Sequence, residues 1–168
     1  MKGPCGVFAG GYGVGADARN MLDLDGTPME AWTAGETALV SWAITANHGG
    51  GYGFRLCRAD SDLSEECFQA GHLKFVDSMQ QVIDVNGTLV TQVPARRTAN
   101  GTHPAGSQWT RNPFPQEKNL GPGLPGLPDV YGRGPFPYSI IDEVAVPKEL
   151  KPGHYILSWS VKMHTGLA

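Results

Sequence analysis

From Glu36 the stretch ETALVSWAIT places apolar side chains at every second position, Ala38, Val40, Trp42 and Ile44. A period of two predicts a strand with one face buried and the other turned to water. GGGYGFRLC follows, and beyond its first glycines Tyr52 to Cys57 reads as a second strand. Three more strand-like stretches come next: HLKFV at 72–76, QQVID at 80–84 and TLVTQVPA at 88–95. The last two are joined by Asn86-Gly87, a pair that tolerates the positive φ of tight hairpin turns. Pro94 has no N–H to donate and should end or edge its strand. YSIIDEVAVP at 138–147 and HYILSWSVKM at 154–163 complete the set, separated by the turn Lys151-Pro152-Gly153. Only LSEECFQ at 63–69 reads as helix, with acids in its first turn and room for one or two turns.

What lies between these elements is rich in turn formers. Residues 1–29 hold GGYGVG at 10–15 and read as loop, and residues 112–137 hold seven prolines and five glycines, which predicts a long irregular loop. Glycine and proline together make up 36 of the 168 residues. No repeat of fixed period interrupts the pattern. Six or seven short strands without strand–helix alternation predict an all-β fold, an immunoglobulin or fibronectin III-like β-sandwich with long Gly/Pro-rich loops and one short helix. The length suits a single domain over residues 1–168.

Charge and hydropathy remove several classes of partner. Thirteen basic against sixteen acidic residues leave a net charge of -3 and no basic block to follow a phosphate backbone, which excludes nucleic acid. No apolar run approaches the roughly 18 residues that span a bilayer, so no membrane segment is expected, and a monomer is. Met1 to Val14 lacks the continuous apolar stretch of a signal peptide. Cys57 and Cys67 bracket the turn-forming segment RADSDLSEE. A bridge between them would close a short loop and stabilise the fold by roughly 3 kcal/mol. The alternative is two buried free thiols, as a reducing compartment favours. Cys5 is left over, either a reactive thiol or one whose partner is missing.

Candidate chemistry is sparse. GVGADA at 13–18 fits a loose dinucleotide fingerprint, but no βαβ unit surrounds it, and a flexible glycine loop is the better reading. Asn86-Gly87-Thr88 and Asn100-Gly101-Thr102 are glycan acceptors if the chain is secreted. No G-x-S-x-G elbow occurs, and adjacent Asp142 and Glu143 point to opposite faces of a strand, so no acid–base pair is named. Of the five histidines, His48, His72, His103, His154 and His164, no two have the spacing that would place both on one metal. His72, His103, His154 and His164 read as solvated or hydrogen-bonded side chains. His48 stands apart, because it follows a strand and precedes three glycines that let a ligand approach closely. Trp42 and Trp159, within strands, are expected in the core.

The run SWAITANHGGGYGFRLC with LSEECF, together with GTHPAGSQWTRNPFP and VPKELKPGHYILSW, resembles the chitin-binding type 4 and lytic polysaccharide monooxygenase proteins, and most closely their arthropod and algal branch. The resemblance covers roughly residues 30 to 160. It implies a sandwich presenting a flat face to crystalline polysaccharide, secretion, and one copper ion held by an N-terminal histidine and a second histidine, which His48 matches. Imidazole and amine nitrogens suit both copper oxidation states and leave positions open for oxygen. Met1 and Lys2 stand where the family has its N-terminal histidine, and the family's closing strand has no counterpart after LSW, so a chain truncated at both ends is expected. Two functions follow: a polysaccharide-active, copper monooxygenase-like domain on chitin or cellulose with an incomplete copper site, or a non-catalytic carbohydrate-binding module or inactive fragment. Tyr52 and Trp109 are expected near the substrate face.

Overall fold

The computed structural model of the protein describes residues 29–43, 46–47, 49–114, 124, 127, 132–133 and 136–162. Eleven strands and one helix are present among them, in the order β1 (Thr37–Ala43), β2 (Ala46–Asn47), β3 (Gly51–Arg58), α1 (Glu65–Ala70), β4 (Lys74–Phe75), β5 (Met79–Asp84), β6 (Leu89–Pro94), β7 (Arg97–Thr98), β8 (Trp109–Arg111), β9 (Gly132–Arg133), β10 (Tyr138–Ala145) and β11 (Tyr155–Lys162). Two antiparallel sheets face each other. The first has the order β1-β10-β5-β6, with β4 also on β10, and the second the order β11-β3-β8-β7. The protein is an all-β sandwich.

The alternation in β1 is realised as expected: Ala38 and Val40 are buried, while Thr37, Leu39 and Ser41 are exposed. In β10, Ile140, Asp142 and Val144 are buried on the inner face, and the outward Glu143 accepts from Thr37 Oγ1 across the register. β4 and β5 run along the same edge of β10 as one interrupted strand. At the interruption the Asp77 carboxylate accepts from the Glu143 N–H at 3.2 Å and pairs with Arg97. The predicted hairpin joins β5 to β6, where Asp84 Oδ1 accepts from the N–H groups of Asn86 and Thr88 and Gly87 takes φ +79°.

β3 shows no alternation, because Tyr52 through Cys57 are buried on both faces. Its inner face sends Tyr52, Phe54 and Leu56 into the main core against Val40, Phe75, Val82, Ile140 and Val144. Its outer face is covered by α1, whose Phe68 joins Leu63, Cys57 and Ile156 in a second, smaller cluster. Ser64 caps α1, its Oγ accepting from Cys67 N–H at 3.2 Å, with Glu65 and Glu66 in the first turn where the helix dipole favours acids. Of the two readings of the thiols, the bridge holds: Cys57 and Cys67 are bonded, with Cα atoms 5.6 Å apart, tying α1 to β3.

Two expectations are corrected. Residues 112–137 are not wholly irregular: β9 pairs with β2, and Phe114, Leu124, Leu127 and Phe136 pack on the main core. Trp159 is not a core residue, since it is 36% exposed. It lies on β11, the edge strand of its sheet, and nothing among the described residues covers that rim. Its ring packs on half-buried Trp42 of the opposite sheet, with centroids 5.1 Å apart. The glycine-rich segment before residue 29, Cys5 and His164 lie outside the described residues.

Candidate functional site

His48 also lies outside the described residues, but its neighbours are held by specific bonds. Asn47, buried at the end of β2, accepts through Oδ1 from Gly49 N–H and from Asn112 Nδ2, each at 3.1 Å. Asn112 in turn accepts from Phe114 N–H at 3.0 Å, and its own N–H donates to the Gly50 carbonyl at 2.9 Å. Gly49 and Gly50 take φ +64° and +76°, a left-handed conformation that glycine adopts without strain. Two buried carboxamides and two left-handed glycines therefore fix the chain on both sides of His48 at the mouth of β3.

Tyr52, expected near a substrate face, is a core residue at 1% exposure. Even-numbered positions of β3 point inward, and the tyrosine hydroxyl crosses the sandwich to the other sheet. There it donates to Asp142 Oδ2 at 2.5 Å and accepts from Gln80 Nε2 at 2.6 Å. Burial, reinforced by the neighbouring Asp142, holds the phenol well above its ordinary value. Burial also pushes Asp142 up to about 6, against the stabilising hydrogen bond from Tyr52. Asp142 and Glu143 do occupy opposite faces, and the buried one ties the two sheets together through Tyr52.

Trp109 lies half-buried on β8, and its indole N–H donates to Ser107 Oγ at 3.1 Å. Its ring sits 5.4 Å from that of His72, an association that the sequence does not announce. His72 rests over Gly53, where an added Cβ would meet its Cε1 at 3.3 Å. Both ring nitrogens of His72 are buried without a hydrogen-bond partner. Burial, and then the charge of Arg55, pushes the imidazole down to about 4, so it is neutral near pH 7. The one sequence signal for this placement is Gly53 inside a strand, which marks a close approach of another group.

Copper would need a set of nitrogen ligands. Among the described residues no three His, Cys, Asp or Glu side chains come together to hold a metal ion. His48 is the copper ligand that the resemblance offers, and it lies outside the residues searched. Among the described residues no helix is long and apolar enough to cross a membrane. Comparison with protein-family models, with curated proteins and with solved structures returns no match.

Proposed function

We propose that the chain is a polysaccharide-binding domain of the chitin-binding type 4 and lytic polysaccharide monooxygenase kind, acting by adhesion to chitin or cellulose. The observation that carries this reading is the Asn47–Asn112 clasp. Buried carboxamides are costly unless paired, and here they are spent on one short glycine loop at the end of a rigid sandwich, the usual place for a recognition loop. His48, on that loop, is the residue that would meet the polymer or serve as an equatorial copper ligand. Adhesion is the activity that the clasped loop supports directly, and copper chemistry at His48 is the alternative.

The test is retention on insoluble chitin and cellulose by the protein, by His48→Ala and by Asn112→Ala. The protein should be retained on at least one polymer, and both variants should release it several-fold more readily. Asn112→Ala costs about 1–3 kcal/mol of stability by leaving the Phe114 N–H unpaired, which a thermal melt monitors separately. Passage of the protein through both polymers overturns the reading. A tight, one-to-one, His48-dependent Cu(II) site with oxidised products in the presence of reductant would replace it by the monooxygenase function.

A further inference from the structure

A cleft of about 410 Å³ opens beside the outer face of the second sheet, with the core residue Leu73 in its wall. It is lined by Gln69 and Ala70 at the end of α1, by His72, Leu73 and Lys74 leading into β4, and by the loop Pro104–Gln108. Its size falls within the range of small-molecule sites, about 300–1,000 Å³. Three buried polar atoms at this cleft lack a partner: Gln69 Oε1, His72 Nδ1 and His72 Nε2. Each such atom costs roughly 1–3 kcal/mol, so three converging on one cleft require an explanation. Other unpartnered polar atoms, among them Thr110 Oγ1 and Asp142 Oδ1, lie singly in the interior, whereas these three belong to two residues that line one cleft.

The chemistry of the walls narrows the ligand. Arg55 and Glu65 behind the cleft neutralise one another at 2.7 Å, and His72 is uncharged near pH 7, which leaves Lys74 at the rim. The floor is apolar, from Ala70, Leu73, Pro104 and Ala105, and the Trp109 indole stands against the imidazole. A neutral imidazole and a carboxamide together offer donors and acceptors side by side. A ligand that presents hydroxyls on its edge and C–H groups on its face satisfies both kinds of wall. We infer that this cleft is a second carbohydrate site, which takes a short, soluble, neutral oligosaccharide through Gln69 and His72, separately from the loop that bears His48. Both ring nitrogens and Gln69 Oε1 are buried in the free protein, so binding would turn these side chains toward the cleft.

Nuclear magnetic resonance of the intact chain tests this, with N,N′-diacetylchitobiose, cellobiose and inorganic phosphate as probes at matched ionic strength. At least one disaccharide should produce saturable shifts in the Gln69 side-chain amide, the His72 ring nitrogens and the Trp109 indole. Gln69→Leu lies on a half-buried helix position and keeps the fold, and it should weaken that binding about five-fold or more, the worth of one hydrogen bond. His48→Ala should leave it unchanged, which separates this site from adhesion to solid polymer. The inference is overturned by the absence of saturable shifts at these three groups, by phosphate alone producing them, or by an affinity that Gln69→Leu does not change.

Discussion

Asp142, buried on β10, joins the two sheets through a single carboxylate oxygen. Its Oδ2 takes the Tyr52 hydroxyl from the opposite sheet, and Gln80 completes the chain of donors from a neighbouring strand. Removing the hydroxyl by Tyr52→Phe keeps the ring contacts with Trp42, Phe54 and Phe75 but strips the carboxyl and the carboxamide of their shared partner. The expected loss is about 1–3 kcal/mol, read as a lower denaturant midpoint at unchanged slope. The residue pattern in the sequence could place Tyr52 on a strand but not say which face looked inward. Both faces of β3 are covered, so the alternation that orients β1 is missing there.

At the scale of elements, the longer strands, the hairpin and the helix were legible because local chemistry dictates them: alternation for the strands, Asn86-Gly87 for the turn, and the acids of the first turn for the helix start. The short strands were not. β2 and β9 have two residues each and exist through pairing with one another, which no local signal encodes. The seat of α1 was equally hidden, because it depends on Gly71. That residue has an ordinary negative φ of -95°, yet a Cβ there would fall 1.8 Å from the Leu56 carbonyl oxygen. The Gly71 carbonyl accepts from the Leu56 N–H at 2.8 Å, which holds the two backbones together at this point. Gly71→Ala should undock α1 at a cost at or above the roughly 1–3 kcal/mol of ordinary overpacking. Hydrogen exchange should show α1 and the end of β3 opening, while β1 and β10 keep their protection. Gly87→Asn, with nothing within 4 Å and a turn that asparagine tolerates, should stay within about 1 kcal/mol.

For the molecule as a whole, His72 and Asp142 act against each other as pH falls. His72 titrates at about 4 in the fold and at its ordinary 6.5 when unfolded. Between those values the unfolded chain binds more protons, so this contribution to stability is full above pH 6.5 and is lost as pH falls toward 4. Asp142 titrates at about 6 in the fold against an ordinary 3.8. Here the folded chain binds more protons in between, so this contribution is full below pH 3.8 and is lost as pH rises through 6. The slopes oppose one another from pH 4 to 6. Relative to the unaltered protein, Asp142→Asn should make stability fall more steeply on acidification, and His72→Phe should make it fall less steeply or rise. Urea unfolding at half-unit steps across pH 4–6.5 checks both, and parallel curves for all three proteins would contradict the assignment. Neither group was legible as a titrating one. Asp142 reads as a polar break in a strand, and His72 acquires its setting from Gly53, Trp109 and α1, which are distant in sequence.

Trp42 and Trp159 belong to different sheets, yet their rings stand 5.1 Å apart with a tilt of 32°. Indole transition dipoles at that separation couple as excitons, and the coupling depends steeply on distance and mutual orientation. The pair is therefore a built-in optical gauge of the gap between the sheets on their open flank. Its circular dichroism couplet should persist while that flank stays closed and vanish when it parts, even where every strand remains intact.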